Sequence, residues 1–329
     1  MALQARFRQF DEVIKLKRFD ENAELREKRE RVLARLREGM AKQFPPTQAR
    51  PTFEWFNQGS YEMGTGVKPV DGDYDIDVGV VFNIDVARYP DPLAVKQWVF
   101  AAVREHTTDV RWRRPCVTVN YVEARESKYH VDLAVYGKDG WGNLHLAVGR
   151  QNATQAERGW LRSDPKKLTE IVGAKFQGED ADQFRRVIRL LKRWKDVRFR
   201  GQAAGAPTGI ALTACALQWF APRRSPSRSA FAWPAAGEYD DLVALSALVG
   251  QMRGAFRTVY DRARPIAALD VNLPVPPGND LFAKLNAEQM QQLKGSIDAL
   301  SGTLELAQRQ DEWTASTSLR QVFGADFPA

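Results

Sequence analysis

The chain is poor in the residues that build disulfide frameworks and zinc sites: 329 residues include two cysteines and three histidines. Cys116 and Cys215 lie far apart in apolar contexts, which fits reduced core residues better than a bridge. His106, His130 and His145 show no metal-ligand spacing with them. No apolar run approaches the roughly 18 residues that would suggest a membrane span. The opening stretch, MALQARFRQFDEVIKLKRFDENAELREKRE, is densely charged and lacks the apolar block of a secretion signal. A cytoplasmic protein without membrane contact is the expectation, and no internal repeat is visible.

What is present is an ordinary globular composition, 44% hydrophobic and 27% charged, on a chain long enough for more than one lobe. The net charge of +7 and pI near 9.4 suit a polyanionic partner. A triphosphate and a nucleic acid both satisfy that balance, and charge alone does not choose between them.

Residues 1–43 read as one long helix, with Val13, Ile14, Leu16, Phe19, Leu25, Val32, Leu33 and Leu36 recurring at helical spacing and charges on the remaining face. Pro45 and Pro46 stop it. Residues 44–165 mix strands and helices. DYDIDVGVVF alternates strictly, VKQWVFAAVRE is helical, and CVTVNYVEA and KYHVDLAVYG are strands joined by the charged turn EARESK. Residues 166–329 read as a helical lobe. SDPKKLTEIVGAKF carries a Ser/Asp cap and an N-terminal proline. DADQFRRVIRLLKRWKDVRFR is basic and amphipathic, and PTGIALTACALQWFA is apolar nearly all round. APRRSPSRSAFAWPAAGEY is a surface loop, followed by helices over DDLVALSALVGQMRGAFRTVYD and NDLFAKLNAEQMQQLKGSIDALSGTLELAQ. The fold class is α+β.

The chemistry-bearing residues sit in GSYEMGTGVKPVDGDYDIDVGVVF. Asp75 and Asp77 share one face of an apolar strand, with Ile76 and Val78 on the other. Carboxylates so placed repel unless a cation lies between them. KYHVDLAVYG adds Asp132, alone opposite Val131, Leu133 and Val135. Gly59 allows backbone amides to approach an anion, the Ser60 hydroxyl can donate to a phosphate, and Gly64, Thr65 and Gly66 keep the turn tight.

Gly-Ser, Asp-x-Asp and a third Asp on a later strand resemble the polymerase-β-type nucleotidyltransferase superfamily. Within it, FNQGSYEMGT, WLRSDPKKL, RLLKRWKD, PTGIALT and LDVNLPVPPGNDL are similar to the cGAS/DncV-like nucleotidyltransferases (CD-NTases) of bacterial anti-phage (CBASS) systems; Val271 stands where a proline is expected. The resemblance implies a nucleotidyltransferase core of mixed sheet with helices, a C-terminal helical lobe completing the cleft, and the N-terminal helix bridging the back. It implies an enzyme that condenses NTPs, ATP among them, into a cyclic oligonucleotide second messenger. By the same carry-over, Asp75, Asp77 and Asp132 would hold two Mg2+ ions, with Mn2+ as a substitute, and Asp132 would help deprotonate the attacking hydroxyl. Ser60 and Gly59 would contact the donor triphosphate, Lys192 would neutralise its β- and γ-phosphates, and Thr208 would add a hydroxyl. The runner-up activities are synthesis of linear oligonucleotides or modification of an RNA or protein acceptor, and a different class is a non-catalytic nucleotide binder on the same fold. Implied partners are a HORMA-type or ubiquitin-like regulator. Duplex DNA is a candidate for a basic surface made by Arg185, Arg186, Arg189, Arg193, Arg198 and Arg200 or by Arg223, Arg224 and Arg228, against the alternative of a solvated basic face.

Overall fold

The computed structural model describes residues 3–16, 23–44, 47, 49–70, 72–122, 128–202, 205–225, 237–261 and 264–329. The stop at Pro45 and Pro46, the turn at 123–127, Phe19, Arg228 and most of the Pro/Ser/Arg loop lie outside the described residues.

The N-terminal segment is two helices, α1 (Leu3–Ile14) and α2 (Ala23–Gln43), rather than the single helix that the periodicity suggests. At the end of α1 the chain turns extended. Lys15 bridges to Val67, and Leu16 N donates to Gly66 O at 3.1 Å. The two helices also enter different cores. Phe7, Phe10 and Ile14 of α1 pack among the C-terminal helices, whereas Leu25, Val32, Leu33, Leu36 and Met40 of α2 pack under the sheet. One periodic sequence therefore serves two hydrophobic interiors.

The sheet contains β1 (Phe53–Asn57), β2 (Asp73–Asp85), β3 (Asp109–Trp112), β4 (Val117–Val122), β5 (Lys128–Lys138), β6 (Leu144–Val148) and β7 (Gly159–Arg162). Its order is β1-β2-β5-β4-β3, with β6 extending from β5 to β7. β2 and β5 run parallel, and the other pairs are antiparallel. Both central strands bury one whole side: Ile76, Val78, Val80, Phe82, Val131, Leu133 and Val135 are fully enclosed. That side meets α2 and α4 (Pro92–Val103), the latter capped by Asp91 with proline at its start. A short α3 (Gly59–Glu62) joins β1 to the loop before β2.

The second half holds α5 (Pro165–Ala174), α6 (Gly178–Arg198), α7 (Gly209–Trp219), α8 (Asp241–Gly254), α9 (Ala287–Ala307) and α10 (Glu312–Phe323). It also contains a hairpin, β8 (Arg257–Asp261) with β9 (Arg264–Ala268), and β8 takes up the end of the stretch that the sequence reads as helix to Asp261. Helix α8 ends at Gly254, and the β-branched pair Thr258–Val259 and then Pro265 favour extended chain. Helix α9 starts at Ala287 rather than near Asn279, because Asn286 and Gln289 form a reciprocal capping box.

The arginines of α6 do not form a solvated face. Arg189 grips Asp11 of α1 through two bonds of 2.6 and 2.7 Å, both side chains 5% exposed, and donates to Gly64 O at 2.7 Å. Arg186 pairs with the buried Asp241, which also accepts from Gln4 Nε2. Arg193 reaches Asp326. Buried carboxylates thus take up Arg186 and Arg189, two of the cations that sequence periodicity places on one helix surface. Removing one partner of the Arg189–Asp11 pair leaves a buried charge uncompensated. Asp11→Ala is expected to lower stability by about 3–5 kcal/mol, seen as a lowered urea midpoint; an unchanged midpoint would show the pair to be energetically neutral.

Candidate active site

Register brings the three acidic residues together. Asp77 of β2 lies opposite Asp132 of β5, and Thr118 of β4 lies opposite Asp132 on its other flank. Ligand oxygens of Asp75, Asp77 and Asp132 all fall within 4.8 Å of one another. Thr118 Oγ1 donates to Asp132 Oδ1 at 2.5 Å, and the Cys116 thiol lies 3.7 Å from the same hydroxyl. One Asp132 oxygen is therefore already oriented by a buried partner. Asp75 is exposed, with His130 Nε2 3.6 Å away.

Asp77 is set differently. A Cβ on Gly59 would come within 1.9 Å of Asp77 Oδ2, and Gly59 has φ +74°. This position must be glycine both for its backbone conformation and because the carboxylate occupies the space of a side chain. The Gln58 amide adds a bond to Asp77 O at 3.1 Å. Burial first, and then the charges of Asp75 and Asp132, push the Asp77 carboxyl well above the ordinary range.

Beyond the carboxylates opens a cleft of about 440 Å³ whose lining includes Gln58, Ser60, Asp75, Asp77, Lys192 and Lys195. Ser60 sits at the start of α3, half-buried. The loop after α3 is pinned to α6. Lys192 Nζ donates to Thr65 O and Thr65 Oγ1, both at 3.0 Å, beside the Arg189 bond to Gly64. Burial, followed by the charge of Lys195, lowers the Lys192 ammonium to about 7. Tyr136 hydroxyl donates to Gln58 Oε1 at 3.0 Å and fixes that side chain at the rim.

Of the sequence-derived candidates, Gly59, Ser60, Asp75, Asp77 and Lys192 line this cleft. Asp132 faces an adjoining groove of about 530 Å³ on the β3–β4 side. Thr208 is exposed and caps α7, its hydroxyl accepting from Ala211 N at 3.3 Å; its neighbours Gly209 and Ile210 line the cleft instead. Sequence reasoning passed over Gln58 and Thr118, and it read Thr65 only as part of a tight turn, not as the acceptor of Lys192. In VTVNYV the alternation does set Thr118 opposite Val117 and Val119, but only the strand pairing puts it against Asp132.

The donor set suits a divalent metal. Three carboxylates converge with ligand oxygens within 4.8 Å of one another, and a hard dication with oxygen ligands is the natural partner for such a group. Asp75, Asp77 and Asp132 are the residues that would hold it.

Residues 53–136 match the family described as cyclic GMP-AMP synthase DncV-like, nucleotidyltransferase domain. A curated relative, the cyclic GMP-AMP synthase of Escherichia albertii, is 26% identical over 176 residues, which are 49% of this chain and 36% of that protein. The alignment thus spans about a third of the curated relative. Among solved structures, the CD-NTase CdnG of Bradyrhizobium diazoefficiens in complex with GTP aligns with TM-score 0.66 and 15% identity, covering 98% of this chain and 96% of that one. CdnC of E. coli MS115-1, solved as a CdnC:HORMA-deltaN complex, gives 0.65 and 16% over 99% and 98%. Vibrio cholerae DncV in its 3′-deoxy GTP bound form gives 0.63 and 18% over 85% and 70%. These likenesses establish the shared fold.

Two outcomes follow from the carboxylate geometry. Asp77 has a folded-state pKa above its unfolded value, so the stability it contributes is present at low pH and is lost as pH rises through the folded value. Asp77→Asn is therefore expected to raise the melting temperature in EDTA at pH 7.5 by about 2–4 °C, and to remove the stabilisation that a divalent metal gives the parent; a lowered melting point would contradict the assignment. Thr118→Val is expected to weaken Mn2+ binding, read by calorimetry without nucleotide, by about 10-fold or more, with Thr118→Ser restoring it. Equal affinity in all three proteins would mean that Thr118 does not orient Asp132.

Proposed function

We propose that the protein is a Mg2+-dependent nucleotidyltransferase that joins NTPs, ATP among them, into a cyclic oligonucleotide second messenger, a reading supported by the match of residues 53–136 to the DncV-like nucleotidyltransferase domain. The observation that carries this reading is the convergence of Asp75, Asp77 and Asp132 at the mouth of a cleft that also presents Ser60 and Lys192. The transferase core would be residues 44–165 and the helical lobe 166–329, with the N-terminal helices divided between their two interiors.

Attack of a ribose hydroxyl on an α-phosphorus builds charge on the entering, leaving and non-bridging oxygens. A bound pair of Mg2+ ions would supply stabilisation of that charge at both ends of the displacement. The chain's own residues position the reactants. Ser60 would donate to the donor triphosphate from the start of α3. Lys192 would meet its outer phosphates, and an arriving anion would favour the charged ammonium that burial now disfavours. Asp132, with one oxygen held by Thr118, would take the proton of the attacking hydroxyl on the groove side. The role of Thr208 reduces to capping α7 so that Gly209 and Ile210 face the cleft.

Support for ring closure, and for a place in anti-phage signalling, comes from the DncV-like match and from the sequence motifs. The CdnC:HORMA neighbour makes a HORMA-type regulator the leading protein partner, with a ubiquitin-like system the other implied by resemblance. A duplex-DNA surface at α6 would have to rely on Arg198 at its exposed end and Arg200 just beyond it, since Arg186, Arg189 and Arg193 bind internal or nearby carboxylates.

Incubation with all four NTPs and Mg2+, phosphatase treatment and mass analysis test the reading. A phosphatase-resistant cyclic product is expected, abolished by Asp75→Asn/Asp77→Asn. Linear products would favour the runner-up, a transferase that extends or modifies an open acceptor. Retained activity in the double variant would overturn the site.

A further inference from the structure

Lys96 of α4 takes no part in the transfer, yet its side chain is fully buried. Its Nζ donates to the carbonyls of Arg113 at 2.5 Å, Arg114 at 2.9 Å and Gly149 at 3.2 Å, and lies 5.3 Å from the Trp112 ring centroid. Every ammonium proton is used. A buried cation of this kind is costly unless so matched, and what it joins is the β3–β4 turn to the exit of β6. Trp112 Nε1 adds a bond to Gly149 O at 2.9 Å, and Gly149 N donates to Arg114 O at 3.0 Å. Gly149 has φ +144°, and a Cβ there would meet Arg158 and Leu93 at 2.8 Å.

This staple fixes Arg113, Arg114 and Arg150 on two adjoining turns, all exposed and none within ion-pair distance of a carboxylate among the described residues. Trp112, Arg114 and Arg150 line a hollow of about 630 Å³. The one acidic residue on its wall, Glu157, is occupied by Thr154 N and Oγ1, each at 2.9 Å. Arg113 lines the groove that contains Asp132 and Thr118. Thr118 is four positions along the chain from Arg114, so the hollow begins within about 14 Å of the carboxylate row. Like charges gathered over a buried fourth cation repel one another in the absence of an anion.

We propose that this arginine rim binds single-stranded nucleic acid running from the Asp132 groove around edge strand β3. Guanidinium forks match phosphate oxygens, and a hollow walled by an indole admits an unstacked base, which a duplex keeps inside its stack. The inference rests on the transferase reading for placing an oligonucleotide at Asp132, so its test uses a chain that does not turn over, while turnover is measured separately.

In the full-length Asp75→Asn/Asp77→Asn protein, binding of fluorescein-labelled 5′-phosphorylated dT12 is read by anisotropy at several KCl concentrations. Arg113→Ala/Arg114→Ala/Arg150→Ala is expected to weaken binding by 10-fold or more and to reduce the log–log salt slope by about 2. A duplex of equal length should bind more weakly. Unchanged affinity in the triple variant overturns the proposal. So does tighter duplex binding, or displacement of dT12 by ATP at equal nucleotide concentration, which would make the rim a mononucleotide site. If the rim binds dT12 but the parent protein makes no product from NTPs, the transferase reading fails and the rim stands.

Discussion

The structure is organised around a repulsion. Asp75, Asp77 and Asp132 hold their oxygens within 4.8 Å of one another, and the mutual repulsion is strong enough to help push the Asp77 carboxyl well above its ordinary range. Such a row persists only where the backbone leaves it no freedom. The parallel β2–β5 register supplies that constraint, because Ile76, Val78, Val131 and Leu133 on the opposite side are all fully buried. Slipping by one residue would turn these apolar side chains toward the cleft. The geometry of the carboxylate row is thus enforced from the hydrophobic side of the sheet, and Gly59 yields its side-chain volume to the carboxylate on the other.

The second constraint is the attachment of the cleft's wall to its floor. Ser60 belongs to the sheet side and Lys192 to the helical side, and the loop between Gly64 and Gly66 connects them through bonds to Arg189 and Lys192. Arg189 in turn holds α1 through Asp11. The N-terminal segment therefore does more than brace the back: its first helix enters the interior that carries Lys192, and its second enters the interior that carries the aspartates.

Much of this was legible in the sequence, and the limits are physical. The strict alternation of DYDIDVGVVF and VDLAVY located the aspartates on one face each, and the Ser/Asp cap of SDPKKL marked a helix start that the structure retains at Asp164. Periodicity registers amphipathic spacing without saying which core receives it, so Leu3 to Gln43 read as one helix. It does not distinguish an arginine facing water from one facing a buried carboxylate that is distant in sequence, so Arg186 and Arg189 read as surface. Nor does alternation reveal strand pairing: Thr118 became part of the site only through its register with Asp132. The β8–β9 hairpin was masked because Gly254 lies within a helical pattern that tolerates one glycine.

A common device links these particulars. Lys96 and Lys192 are buried cations, and each donates to backbone carbonyls of a loop beside one of the two hollows that the aspartates line. A carbonyl accepts from a cation without cancelling its charge, as a carboxylate would, so the loops are tied down while positive potential remains on both sides of the row. Lys96 and Lys192 show what that retention costs, since burial lowers the ammonium to about 8 and about 7 respectively. Each folded value lies below the unfolded one, so stability rises with pH between the two, and the charged forms are held at the expense of the fold near neutrality. An anion bound in the cleft relieves that expense. The same charges that weaken the empty protein would then favour its phosphate-bearing complexes, and the negative row and its positive flanks are two halves of one electrostatic arrangement.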